Sequence, residues 1–179
     1  MEGVRYVGVS KLVYVLFSER INNIFVDYQK LKQGIWYHRR FGFDQQEIKT
    51  ECFYKYRGQV FLIRGKPDEV YVENGRLVIS ELKTCRSEQL RDVMGLMGWL
   101  QANVYAYMLT RGQKLETIVN SYVYNPYKDD EPKLYLSKPA DYRLADWTIR
   151  RGLDCILKDE ENKESVLQVV RERLKLKHR

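Results

Sequence analysis

The chain has 179 residues, of which 44% are hydrophobic and 13% aromatic. That is enough for one domain with its own core, and it excludes a disordered or collagen-like chain. Its 31 Lys and Arg against 24 Asp and Glu leave a net charge of +7, which points towards a polyanionic partner. No apolar run reaches the roughly 20 residues of a membrane span. Cys52, Cys85 and Cys155 are odd in number and far apart, as expected of reduced thiols in a cytoplasmic protein and not of a disulfide scaffold.

The apolar start, Tyr6 to Phe17, is interrupted by Lys11 and lacks a small-residue cleavage site, so it reads as core structure and not as a signal peptide. From about Ser10 to Gly34, apolar residues recur at intervals of three and four (Leu12, Val13, Leu16, Ile21, Ile24, Phe25, Tyr28, Leu31), which predicts a helix with Gly34 as its stop or bend. Residues 47–64 hold short alternating segments expected to be strands. A hairpin is predicted over Asp68–Lys83, because β-rich runs flank Asn74-Gly75. A long helix from about Ser87 to Thr110 is closed by Arg111-Gly112. Glu116–Tyr124 and Lys133–Ser137 read as strands, and two helices finish the chain, over about Ala140–Leu157 and from about Lys163 to the end. The order predicts an α/β fold, a single domain over 1–179 with one central mixed sheet flanked by helices.

The two-residue turn fixes the hairpin register: Glu73 pairs with Arg76, Val72 with Leu77, Val70 with Ile79, and Asp68 with Glu81. Side chains alternate, so Asp68, Glu81 and Lys83 share a face, with Lys66 opposite Lys83. Like charges face to face on a sheet are destabilising. Either the two acids splay into water, or a divalent cation lies between them; carboxylate oxygens suit Mg²⁺ or Mn²⁺.

Gly65-Lys66-Pro67-Asp68 followed by Glu81-Leu82-Lys83 resembles the motif of the PD-(D/E)XK nuclease superfamily. Gly34-Ile-Trp-Tyr-His38 is similar to the G-x-x-x-H element of its RecB-like branch, and Gln101-Ala-Asn-Val-Tyr105 to that branch's Q-x-x-x-Y element. The three occur in the expected order, and the likeness covers about the first two thirds of the chain. It implies a restriction-endonuclease-like αβββαβ core and metal-dependent hydrolysis of DNA. It also implies a Mg²⁺ or Mn²⁺ site on His38, Asp68, Glu81 and the Leu82 backbone carbonyl, with Lys83 positioning the attacking water. Gln101 and Tyr105, four apart on one helical face, are expected to contact DNA or brace the site.

Within that branch the chain resembles the CRISPR adaptation exonucleases of the Cas-four type and archaeal-virus nucleases, many of which carry an iron–sulfur cluster on four cysteines. Three scattered cysteines, none before His38, cannot supply that set, so no cluster is expected. Glu47 and Glu51 are candidates for a second ion. The last nine residues carry five cations and one acid; Arg171, Arg173, Lys175 and Lys177, with Lys66, are candidate phosphate contacts. The expected partner is DNA, as single strands or ends, with no membrane and with homo-oligomerisation left open. A junction-resolvase-type endonuclease and a DNA-binding assembly protein on a relic nuclease fold are the alternatives.

Overall fold

The computed structural model describes residues 3–21, 28–43, 48–111, 113 and 115–176; side chains at 19–21, 28–32 and 163–176 are outside the description. The chain runs β1 (Val4–Gly8), α1 (Val9–Ile21), α2 (Tyr28–Arg40), β2 (Thr50–Tyr56), β3 (Gln59–Gly65), β4 (Glu69–Glu73), β5 (Arg76–Thr84), α3 (Arg91–Thr110), β6 (Thr117–Tyr124), β7 (Lys133–Pro139) and α4 (Tyr142–Leu176). A single 3₁₀ turn at Glu88–Leu90 leads into α3.

The mixed α/β class holds, but the strands divide into two mixed sheets where one was expected. The first has the order β1-β3-β2 and the second β4-β5-β6-β7. Residues 66–68 turn the chain from one to the other. Pro67 has no N–H to give to a ladder, so the strand pairing of β3 ends there. In the first sheet β1 runs parallel and β2 antiparallel to β3. In the second, β5 and β6 form the parallel centre, with β4 and β7 antiparallel at the edges. The hairpin register agrees with the expected one, Val70 opposite Ile79 and Glu73 opposite Arg76. Asn74 and Gly75 both take positive φ, 50° and 75°, as a type I′ turn requires.

Three elements differ from the sequence reading. Strand β1 was not expected; its partner lies more than fifty residues away on β3, Tyr6 beside Leu62, and no local pattern announces such a pairing. Of the helix read over 10–34, residues 22–27 lie outside the described residues, and Gly34 is not its stop but sits inside α2, which continues to Arg40. Gly34 faces Thr84 on β5, at ordinary contact distance. The two terminal helices are one continuous helix, because the charged stretch 158–163 contains no Gly or Pro to break it.

Helix α3 is buried around most of its circumference, so it is the central helix, lying between the sheets and α4. Its glycines set how close the neighbours come. A Cβ at Gly95 would lie 2.4 Å from the Tyr135 ring, and one at Gly98 would lie 2.6 Å from Ser121 Oγ. Helices α1 and α4 meet at backbone range, where a Cβ on Gly152 would sit 2.5 Å from the Leu12 carbonyl oxygen. The main core joins Leu12, Phe61, Ile63, Ile79, Val104 and Ile149. Among the described residues no helix is long and apolar enough to cross a membrane.

Candidate active site

The second sheet brings the two acids together as its register requires. Glu81, in the middle of β5, is 2% exposed. Its Oε1 accepts from the Asp68 backbone N–H at 3.1 Å, and its Oε2 accepts from Lys83 Nζ at 2.9 Å. Asp68, just before β4, accepts from the Leu82 N–H through Oδ2 at 2.8 Å. Its Oδ1 lies 3.1 Å from His38 Nδ1. The ionised Asp68 carboxylate only accepts, so this contact places a proton on Nδ1.

His38 reaches the sheet because α2 is locked onto it by aromatic rings. Tyr37 and Phe41 each set their edges against Tyr124, at 4.9 and 4.8 Å between centroids, and Phe43 does the same to Tyr122 at 5.2 Å. These rings pack round the fully buried Leu82, the residue between Glu81 and Lys83. One apolar cluster therefore fixes both the helix that carries His38 and the Glu81–Lys83 stretch of β5.

The electrostatics of the two acids diverge. Burial and the neighbouring Asp68 charge push Glu81 up to about 8, and Lys83 offsets only part of that. Asp68 is also desolvated, yet its net shift is downwards. The His38 hydrogen bond, the charges of Lys83 and His38 and the Leu82 N–H outweigh its burial. Lys83 is held above the ordinary lysine range: burial opposes its charge, but the Glu81 and Asp68 carboxylates overcome it. One carboxylate therefore holds a proton where its neighbour is ionised, the arrangement expected when two acids share a desolvated site.

Tyr105 lies one side of this group. Its ring packs on Gly65, where a Cβ would come within 2.6 Å of Cε1 and 2.7 Å of the phenol oxygen. Its phenol, raised by burial and by Glu81 and Asp68, interacts with the Ser10 side chain and the Lys66 backbone. Tyr105 thus fixes the corner that delivers Asp68. Gly98, on the same face of α3, lets Lys83 Cγ approach, at 3.3 Å from the Cβ that any other residue would carry. Gln101 lies between them along that face and is buried, and its Oε1 has no hydrogen-bond partner among the described residues. Ser10, Gly65, Gly98 and Ser121, which support the site, were not singled out as site residues. Gly65 entered only as the first residue of the Gly65–Asp68 motif, and Ser10, Gly98 and Ser121 carried no signal of their own.

Other candidates stand apart. Glu51 pairs with Arg64 at 3.1 Å on the first sheet, and Glu47 lies outside the described residues. Arg171, Arg173 and Lys175 belong to the last turns of α4; their side chains, and Lys177 altogether, lie outside the described residues.

A model of the PD-(D/E)XK nuclease superfamily matches residues 18–177, a span that includes His38, Asp68, Glu81, Lys83, Gln101 and Tyr105. The chain belongs to this superfamily. Among solved structures, that of the protein SSO0001 is 18% identical, with a TM-score of 0.57 over 88% of this chain and 77% of that one. The alkaline exonuclease LHK-Exo of Laribacter hongkongensis is 13% identical, with a TM-score of 0.44 over 93% and 94% of the two chains. The same exonuclease in complex with dAMP gives 12% and 0.40 over 91% and 94%. At such identities the likeness to SSO0001 is one of fold. No curated protein matches the sequence.

Superfamily members use divalent metal ions, and the donors here fit one by type: two carboxylates, an imidazole and a backbone carbonyl are ligands for a hard or borderline cation. The unpartnered Gln101 Oε1 is a further buried acceptor on the adjoining helix face. Among the described residues, however, no three His, Cys, Asp or Glu side chains are already gathered as a metal centre. The carboxylate oxygens are taken up by Lys83, His38 and the two backbone N–H groups, so binding requires some of these hydrogen bonds to be exchanged for the ion.

Proposed function

We propose that the protein is a divalent-metal-dependent deoxyribonuclease that hydrolyses phosphodiester bonds of single-stranded DNA or DNA ends. The observation that carries this reading is the buried Glu81, tied at once to the Asp68 backbone and to Lys83. Keeping two acids and a lysine in so little water is costly unless the site serves a cation and an anionic substrate.

His38, Asp68, Glu81 and the Leu82 carbonyl are the groups that would hold Mg²⁺ or Mn²⁺. When bound, such an ion polarises the phosphoryl oxygen and lowers the pKa of a coordinated water. Lys83 then orients the attacking water and offsets the negative charge that builds on the phosphorane-like transition state. The contact between His38 Nδ1 and Asp68 holds the ring beside the two acids, and it is one of the bonds that gives way when His38 serves as a ligand. Tyr105 and Gly65 hold the Lys66–Asp68 corner, and Gln101 supplies an acceptor on the adjoining face. Lys66 and the basic end of α4 are placed in this reading as phosphate contacts, which makes binding salt-sensitive.

The test is incubation of end-labelled linear and circular DNA, single- and double-stranded, with Mg²⁺ or Mn²⁺, for wild type, Glu81→Ala and Lys83→Ala. Cleavage confined to wild type supports the reading. Cleavage that survives both substitutions, or none with either ion, would falsify it and leave a DNA-binding protein on a relic fold. Cutting of circles identifies an endonuclease.

A further inference from the structure

The first sheet carries a feature that the catalytic group does not use. Its register sets three side chains abreast: Tyr6 on β1 pairs with Leu62 on β3, and Leu62 with Phe53 on β2. Paired residues point to the same side, so this row lies on the face opposite the fully buried Phe61 and Ile63. Tyr6 is 60% exposed and Phe53 58%, while Leu62 between them is 4% exposed. Two aromatic rings thus stand open to solvent on strands two apart, about 10 Å from each other.

The next row along the same face is Gly8, Arg64 and Glu51. The Arg64 guanidinium lies 4.7 Å from the centroid of the Tyr6 ring, and its Nε is 3.1 Å from Glu51, so the cation is held beside the aromatic surface. Beyond it opens a cavity of about 590 Å³ lined by Lys49, Thr50, Glu51, Arg64, Gly65 and Lys66. That is three cations to one carboxylate, and the lining ends two residues before Asp68. Asp68 follows Leu62 by six positions, at most about 20 Å of extended chain. Leu62, at the centre of the row, and Asp68 are therefore no more than about six stacked nucleotides apart.

We propose that this face is the track by which single-stranded DNA enters the active site, with unpaired bases stacked on Tyr6 and Phe53 and the phosphates led by Arg64, Lys49 and Lys66 towards Asp68. Ring faces open to one side receive only bases whose own faces are free, which a duplex offers only at its two ends. The charge ratio of the cavity suits a phosphate backbone better than a second copy of this basic chain. The proposal rests on the nuclease reading for the direction of the track, but the binding itself can be measured without cleavage.

The experiment is fluorescence anisotropy of labelled single-stranded dT20 and of a 20-base-pair duplex, titrated with the full chain in EDTA. Tyr6→Ala and Phe53→Ala are each expected to weaken dT20 binding by about tenfold, with duplex binding and melting temperature nearly unchanged. Phe53→Trp should retain affinity. Phe53→Leu, which keeps apolar area but has no ring face, should lose it. Wild-type affinity for dT20 in both alanine variants overturns the proposal, as does an equal loss on single strand and duplex. So does a wild-type oligomer that Phe53→Ala dissociates without weakening dT20, which assigns the face to self-association. Absence of Glu81-dependent cleavage would overturn the catalytic reading alone, since the anisotropy is read in EDTA.

Discussion

Asp68 and Glu81 are joined through the backbone of the one and the side chain of the other: the Asp68 N–H donates to Glu81 Oε1 at 3.1 Å. The contact has a counterpart in the Leu82 N–H that donates to Asp68 at 2.8 Å. Each acid is thus oriented by the strand that carries its partner, and the hairpin cannot slip by a residue without breaking both bonds.

Glu81 makes stability depend on pH in an unusual direction for a carboxylate. Its folded pKa is raised to about 8 from an ordinary value of 4.5, so the fold favours the protonated acid. That contribution is complete below pH 4.5 and is lost as pH rises towards 8. Without divalent ions, the melting temperature is expected to fall across this window, and Glu81→Gln should flatten the fall. A wild-type curve that rises through the same window would contradict the assignment.

On the proposed reading, an ion bound by Glu81 competes with the proton that its burial favours. Mg²⁺ or Mn²⁺ affinity is therefore expected to increase with pH up to about 8, and binding near neutral pH should release protons. Calorimetry in two buffers of different ionisation enthalpy reads this directly. Identical heats in both buffers would show that no proton leaves.

Lys83→Ala removes the 2.9 Å contact to Glu81 and the positive charge next to both acids. A loss of about a hundredfold or more in kcat is expected, with KM changed much less. Lys83→Arg is not expected to restore the rate, because the planar guanidinium cannot occupy the site of a compact ammonium. Steady-state kinetics on single-stranded DNA separates the two parameters.

Gly98→Ala places a Cβ 2.6 Å from Ser121 Oγ and 3.3 Å from Lys83 Cγ. It should lower stability by about 1–3 kcal/mol through overpacking and reduce turnover by displacing Lys83. Removing the hydroxyl in the double variant Gly98→Ala/Ser121→Ala should recover part of the stability, at the cost of the Ser121 hydrogen bond to the Gly95 carbonyl. Denaturant unfolding of the four proteins in this cycle measures the coupling; additive effects would show that the two sites are independent.

Gly65→Ala is expected to be as harmful for a different reason. The Tyr105 ring is buried and rigid, and the added methyl group meets it at 2.6 Å, so the Lys66–Asp68 corner must move. Tyr105→Phe, which removes only the phenol, should cost about 1 kcal/mol. Melting curves and cleavage rates of the two variants would distinguish a corner that is braced by the ring from one held chiefly by the hydroxyl.

The parts of this fold that were legible in the sequence are those with local causes. Asn74-Gly75 dictates its own turn, the turn dictates a register, and the register places Asp68 beside Glu81. Strand β1 has no such cause. Val4–Gly8 becomes a strand because β3 offers it an edge, and its residues merge into the apolar run of α1. The division into two sheets was equally hidden, since Pro67 reads as an interruption without saying which strands will pair on either side. The reach of His38 to Asp68 depends on Tyr37, Phe41 and Phe43 finding Tyr122 and Tyr124 some eighty residues later. Gly98, which admits Lys83 and Ser121 to α3, carries no side chain by which a pattern could be recognised, and the motif that contains Gly65 does not tell that Tyr105 will pack on it.

The meeting of Leu12 with Gly152 has a consequence for how the protein is made. Synthesis is vectorial, at about 5–20 residues per second, so the first helix leaves the ribosome long before the glycine that seals it. Until α4 arrives, the apolar face of α1 must be sheltered by whatever has already formed, and β1 waits in the same way for β3. Such distant pairings slow folding and leave greasy intermediates exposed. A cell expressing this chain is thus expected to lose more of it to aggregation when translation stalls before residue 152 than when it stalls afterwards.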